Sequence, residues 1–387
     1  MKIGIVAFSG IFPIHIGGPA SVGYFIAKWL GEFGNEITLF VRVKTKRELE
    51  FVGRLEEFTK LKNVKVIPIM IDYRCQTFLN PLNVIFQIYT ATKAFSSEKF
   101  DVVHYNSPPI DIALLFPFFA KLKQTRQTLA IHTGIYTEIN NPVGRSILNL
   151  EKDLFNQVIV FNEFSQKVAK TAGFSEDSIT TIPNGVDIAE INKAQPLKLL
   201  GEPKVLYVGR LSKIKNVEVL IRAFAEILKE FPKAILYLVG DGSSRDSLEK
   251  ITNRLKIRNN VVFKGTIPNT TVFRYYKSVD VLVLPSFKEN FSIVLLEAMA
   301  SKVPIVASDA EGNKHIIKDN SNGLIFCNNS WKDLSRQLIR VLSDRNLHKK
   351  LANNSYHIAT TGYNWKQIAL QYQSLFHSLR KITGSLA

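Results

Sequence analysis

The residues best suited to chemistry lie in VLVLPSFKENFSIVLLEAMASKVPIVAS, from Val281 to Ser308. Glu289 stands in a loop after four apolar residues and the Pro285–Ser286 break, and Glu297 follows eight residues on, inside a run of helix formers from Ser292 to Ala300. A helix start exposes free N–H groups and about half a positive charge, so the backbone of Phe291, Ser292 and Ile293 could hold a phosphate. An acid just before that start can accept hydrogen bonds from sugar hydroxyls, and an acid about two turns in can do the same for a ribose. Two acids at this spacing also arise by chance, as a solvated loop acid and a surface helix acid. The setting VLLEAMA argues otherwise for Glu297, because an unpaired surface charge is not expected among such neighbours.

A second constellation is VGRLSKIKN, where Arg210 and Lys215 stand five residues apart before a helix that begins near Asn216. Guanidinium binds a phosphate bidentately and ammonium acts as a mobile point charge, so the pair could clamp a diphosphate. A solvated basic loop is the other interpretation, and a position at a strand's end weighs against it. In the first half, Gly17–Gly18 before a helix could cradle a phosphate or form a plain tight turn. His132, in LAIHTG, follows an apolar strand and suits either a site or a satisfied core histidine. His104, in VVHYNSP, is assigned a structural place.

These residues need a scaffold, and the pattern supplies one. Strands are expected at 2–8, 36–42, 64–70, 102–106, 128–133 and 158–162, with helical stretches between most of them. The pattern restarts with strands at 204–209, 234–240, 261–265, 281–284, 304–308 and 324–326. Repeated βαβ units imply parallel sheets covered on both faces, with ligands beyond the carboxyl ends of the strands. The turn-rich PNGVD (Pro183 to Asp187) and the polar stretch after it mark a boundary. The expected domains are 1–190 and 191–364, with an amphipathic helix at 365–387 returning across to the first.

Length and composition agree. A chain of 387 residues with 46% hydrophobic residues suits two globular domains without a disorder signature. Cys75 and Cys327 give no disulfide framework and no metal spacing, so a reducing, cytoplasmic setting is expected. MKIGIVAF begins as a strand rather than a signal peptide, and no long apolar run could span a bilayer. The net charge of +17 is uneven: residues 191–387 hold 30 Lys and Arg against 15 Asp and Glu, and residues 1–190 hold 20 against 18. A basic half suits phosphorylated ligands or an anionic membrane surface, here the inner face. The cations are scattered along helices without interleaved aromatics, so nucleic acid is not expected. Residues 110–123, IDIALLFPFFAKLK, are read as a buried helix, with a dip into a membrane surface as the other possibility.

The second half, through VGRLSKIKN, VGDG, VFKG and PSFKEN…LLEAMA…VPIVAS, resembles the retaining glycosyltransferases of family 4 (glycosyl transferases group 1). The first half resembles them in pattern, Gly17–Gly18 and His132. The resemblance implies the GT-B fold, two Rossmann-like α/β domains facing a central cleft. It implies that Arg210 and Lys215 hold the donor diphosphate and stabilise the leaving group, and that Glu289 contacts the transferred sugar and Glu297 the ribose. Backbone at Gly17–Gly18 and around Phe291–Ser292 would reach phosphates and sugar. Gly265, Thr266 and Ile267 would lie against the nucleobase, and His132 would face the sugar. No metal and no cofactor beyond the nucleotide-sugar substrate is implied.

Departures from the family pattern are Asn290 and Ser292 where glycines are usual, Ser301–Lys302, Glu311 and His315. They leave the clamp and the acids in place but unsettle the choice of donor. The expected activity is transfer from a nucleotide-diphosphate sugar, UDP-linked ahead of GDP-linked, to a glycan, glycolipid or polysaccharide precursor. A sugar-nucleotide epimerase would need more acids and histidines than the first half offers. An inactive sugar-binding partner subunit would fit the departures but not the retained Arg210, Lys215, Glu289 and Glu297. A nicotinamide dehydrogenase lacks its glycine fingerprint. The sugar, the acceptor and the oligomeric state are not encoded legibly.

Overall fold

Short runs rich in branched apolar residues, such as KIGIVA (β1, Lys2–Ala7) and EITLFVRV (β2, Glu36–Val43), are buried over almost their whole length, as strands covered on both faces must be. The computed structural model describes residues 1–7, 18–43, 52, 56–70, 92–93, 95, 98–107, 115–131 and 153–384. The chain forms two compact units, Met1–Asn184 with Trp365–Ala387, and Gly185–Asn364.

In the first unit β1 and β2 join β3 (Val64–Met70), β4 (Val102–Tyr105), β5 (Arg126–Ala130), β6 (Gln157–Val160) and β7 (Ile179–Thr181). The seven strands lie in the order β3-β2-β1-β4-β5-β6-β7, every pair parallel. Val6, Phe40, Val103, Leu129 and Val158 share one core on this sheet. The terminal helix Trp365–Gly384 packs in this unit beside the helix Gly18–Glu32, its Trp365 ring stacked on Phe25 at 5.3 Å. Farther along, Tyr372 and Phe376 lay their rings against His104, with centroids at 5.4 and 5.9 Å.

The second unit holds β8 (Lys204–Val208), β9 (Ile235–Val239), β10 (Val261–Gly265), β11 (Val281–Leu284), β12 (Ile305–Ser308) and β13 (Leu324–Phe326). Their order is β10-β9-β8-β11-β12-β13, again all parallel. Successive strand residues serve opposite faces. Tyr207, Leu236, Val283 and Val306 enter one core, and Leu206, Tyr237, Leu282 and Ile305 the other. Both sheets therefore have the α/β, Rossmann-like architecture.

Two elements differ from the sequence pattern. β7 was not expected: it is a three-residue, half-exposed edge strand without an apolar run. The polar stretch after PNGVD contains a helix, Ile188–Lys193, that buries Ile191 in the second unit's core. Within residues 110–123, the helix Leu115–Leu122 buries Ala120 and leaves Leu122 79% exposed; residues 110–114 lie outside the described residues. No helix among the described residues is long and apolar enough to cross a membrane.

Candidate functional site

In the second sheet, strand order runs one way from β8 to β9 and β10 and the other way from β11 to β12 and β13. The connections leaving β8 and β11 therefore run to opposite sides of the sheet, and the carboxyl ends of these two strands are where ligands bind in such sheets. The loop after β8 carries Arg210 and then the tight turn Lys213–Lys215. Asn216 follows in the left-handed conformation, φ 51°, and starts the helix Val217–Glu230. The loop after β11 carries Glu289, and Ser292 caps the helix Ile293–Ala300 by accepting the Leu295 N–H.

The two loops meet. Lys215 Nζ donates to both oxygens of Glu289, at 2.7 and 2.9 Å, and the side chains are only 24% and 13% exposed. The Phe287 N–H donates to the Ile214 carbonyl at 2.8 Å and fixes the same two loops through their backbones. Arg210 is exposed, and its guanidinium has no hydrogen-bond or ion-pair partner among the described residues. Its carbonyl accepts the buried Tyr207 hydroxyl at 2.9 Å, which ties the loop to the strand beneath.

Glu297 lies in the helix after the second loop. Its Oε2 accepts the hydroxyl of Tyr276, on the helix Asn269–Tyr276, at 2.9 Å. Burial pushes the carboxyl up to about 7, opposed by the phenol's hydrogen bond. The residue keeps part of its surface open, so it is neither a solvated surface acid nor sealed in the core. Gly265, Thr266 and Ile267 leave β10 at the sheet's edge; Thr266 is exposed and Ile267 packs partly on the core. Close approach is built in here: Gly240, φ +127°, donates to the Gly265 carbonyl at 2.8 Å, and a Cβ at 240 would collide with the Gly209 carbonyl.

The departures also find places. Ser292 is the N-cap just described, and Asn290 is buried. Glu311 points to solvent and pairs with Lys314 at 2.6 Å. His315 sets its ring against Phe291, centroids 6.5 Å apart. Gly312 bonds through its N–H to the Glu289 carbonyl at 3.1 Å, and a Cβ there would stand 2.6 Å from that oxygen and nearer still to the carbonyl of Asn290. Beneath, Asn313 bonds the carbonyl and hydroxyl of Ser308, whose hydroxyl donates to the Ser286 carbonyl at 2.6 Å. Tyr207, Tyr276, Gly312, Ser308 and Asn313 were not singled out from the sequence, since their types and spacing do not show the contacts they make in the fold.

The structure thus brings together Arg210, Lys215, Glu289, Asn290, Phe291, Ser292, Ile293 and Glu297 around β8 and β11, with Gly265 to Ile267 at the far edge of the same sheet. Gly18 starts the first unit's helix Gly18–Glu32, while Gly17 and His132 lie outside the described residues. His104 is fully buried on Thr128, Nδ1 to Oγ1 2.9 Å, and burial pushes it down to about 3, so it is a neutral core residue.

The glycosyl transferases group 1 family model matches residues 189–358, and the glycosyltransferase family 4 model matches residues 16–190. An uncharacterised glycosyltransferase of Methanocaldococcus jannaschii is 32% identical over 59% of this chain and 61% of its own length. A second from the same organism is 26% identical over 98% of this chain and 99% of its own. The crystal structure of Anabaena HepE in complex with UDP-glucose matches with a TM-score of 0.73 at 21% identity, covering 98% of this chain and 100% of that one.

Proposed function

The chain belongs to the group 1, family 4 glycosyltransferases with the GT-B fold, and we propose that it moves a sugar from a nucleotide diphosphate to an acceptor hydroxyl with retention of configuration. One observation carries this reading: the Lys215–Glu289 pair spans the point where strand order reverses. It brings a cation suited to phosphate and an acid suited to sugar hydroxyls to the same crevice. The UDP-glucose bound by the Anabaena relative favours a UDP-sugar donor.

In the proposed mechanism, Arg210 and Lys215 bind the diphosphate and meet the negative charge that grows on it as the bond from the sugar's anomeric carbon to the phosphate oxygen breaks. N–H groups at the start of the helix Ile293–Ala300 add to that field. Glu289 positions the sugar by its hydroxyls, Glu297 the ribose, and Gly265 to Ile267 the base. The acceptor oxygen attacks the face the leaving group departs from, and its proton passes to the departing phosphate oxygen. Lys215, held by Glu289, and Arg210 together take the place that a metal ion's charge would fill, so in this mechanism the reaction runs without one. The acceptor is a glycan, a lipid-linked glycan or a polysaccharide precursor, and the basic second half favours work at the cytoplasmic face of an anionic membrane.

A thermal-shift screen against UDP, GDP, ADP and their sugar conjugates, with Arg210→Ala alongside, tests the donor site. A ligand at about a hundred times its Kd adds ~2.7 kcal/mol, readily seen as a rise in Tm. Stabilisation by one nucleotide family in the wild type and not in the variant supports the reading. No shift with any of them overturns it and leaves the inactive partner subunit. The anomeric configuration of the product, read by NMR, tests retention.

A further inference from the structure

Glu297 is an unusual residue to find in this helix. Leu295, Leu296, Ala298, Met299 and Ala300 are all fully buried, so the carboxyl rises from an apolar floor. A carboxylate in such surroundings needs a donor to hold it, and rotates or protonates without one. Among the described residues the one hydrogen bond to its carboxyl comes from the Tyr276 hydroxyl, 2.9 Å from Oε2. Tyr276 is itself fully buried. A tyrosine there gains nothing in packing over phenylalanine except this bond.

We propose that Tyr276 is the positioning residue of the donor site, holding one oxygen of Glu297 so that the rest of the carboxylate is presented to the two vicinal hydroxyls of the donor's ribose. The proposal rests on the assignment of Glu297 to the ribose. One lone pair of Oε2 is taken by the phenol, and Oε1 with the second pair of Oε2 stays available to a cis-diol. The phenol also favours the ionised form, in which both oxygens act purely as acceptors.

No other charge does this work. The helix Ile293–Ala300 packs on the helices Ile188–Lys193, Asn269–Tyr276 and Arg345–Gly362. On the first, Lys193 pairs with Glu190 at 2.7 Å. On the second, Arg274 donates to the Gln195 carbonyl, and Lys277 beyond its end is held down by burial and by Lys302. On the third, His348 bonds the Asp280 carbonyl and Arg345, Lys349, Lys350 and His357 are exposed, while Lys302 lies over the Tyr356 ring at 4.6 Å. Burial and Tyr276 alone set the carboxyl's titration.

The test measures calorimetric affinities for UDP and for 2′,3′-dideoxy-UDP, which lacks both ribose hydroxyls, across pH in the wild type, Tyr276→Phe and Glu297→Gln. The wild type prefers UDP at least about tenfold, a preference that grows as pH rises through about 7. In Tyr276→Phe the UDP affinity at neutral pH falls roughly tenfold, the dideoxy analogue is unaffected, and the midpoint moves up by about one unit. Added to Glu297→Gln, the same substitution changes nothing further. Equal losses for both nucleotides, an unmoved midpoint, or the same loss in the Gln background overturn the proposal. A wild type that binds UDP without preference strikes the ribose assignment of Glu297 instead, and one that binds no UDP strikes the UDP donor itself.

Discussion

Acidification should loosen the first unit through a single histidine. His104 lies under the rings of Tyr372 and Phe376, bonded at Nδ1 to Thr128, and its Nε2 has no partner among the described residues. An imidazolium needs an acceptor at each nitrogen and finds one. Burial therefore lowers the group from 6.5 to about 3. Between those values the unfolded chain binds the proton and the folded unit does not, so stability is fully present above the unfolded value and is lost as pH falls. At 1.36 kcal/mol per unit, ~2 kcal/mol is gone by pH 5 and up to ~5 kcal/mol by pH 3. Two of the three tryptophans, Trp29 and Trp365, belong to this unit and Trp331 to the other. In a Trp331→Phe background, urea unfolding followed by fluorescence reports the first unit alone. His104→Gln, uncharged at every pH, should show a fall from pH 7 to pH 5 that is smaller by ~2 kcal/mol. Identical falls with and without His104 would refute the assignment of a neutral, buried imidazole.

Glu297 works in the opposite sense. Raised from 4.5 to about 7, it holds a proton in the folded unit that the unfolded chain has released, so it lowers stability as pH climbs through that window. Glu297→Gln should thus stabilise the second unit above pH 7 by at most ~3 kcal/mol, less in practice because part of the residue stays open to water; a Trp331-reported unfolding curve shows it. Gly312→Ala pushes a methyl group into the carbonyls of Glu289 and Asn290 and should weaken donor binding tenfold or more while the unit still folds, visible in nucleotide titrations beside circular dichroism. Tyr207→Phe releases the Arg210 carbonyl and should cost a few-fold in the same titration, with the loss absent in an Arg210→Ala background. Sedimentation with anionic liposomes at low salt should carry the protein down, and failure to do so removes the membrane from the proposal.

The central strands of the second unit were legible because they are covered on both faces and read as apolar runs, as in ILYLV and VLVL. β7 was not, since an edge strand of three half-exposed residues carries no such run. Glu297 announced its burial through VLLEAMA, yet its partner could not be read: Tyr276 lies 21 residues upstream on another helix. Gly312 was equally silent, because what forbids a side chain there is the backbone of residues 289 and 290, brought close only by the fold. The amphipathic pattern of the last helix shows that one face is buried, and the expectation that it returns to the first domain agrees with its place in the first unit. Lys215 and Glu289 stood out by type and by position at strand ends, and only strand order shows that they share a crevice.

That last helix has a consequence for how the protein can be divided. Because Trp365–Gly384 belongs with Met1–Asn184, the second unit is inserted within the first, and the polypeptide passes between them twice. A single cut after residue 184 would leave the amino-terminal fragment without the rings that cover His104, as an incomplete body. Residues 185–364, by contrast, form an uninterrupted cassette. Replacing the second unit of this chain must therefore splice at both junctions, trading the cassette while the host retains its own carboxyl terminus.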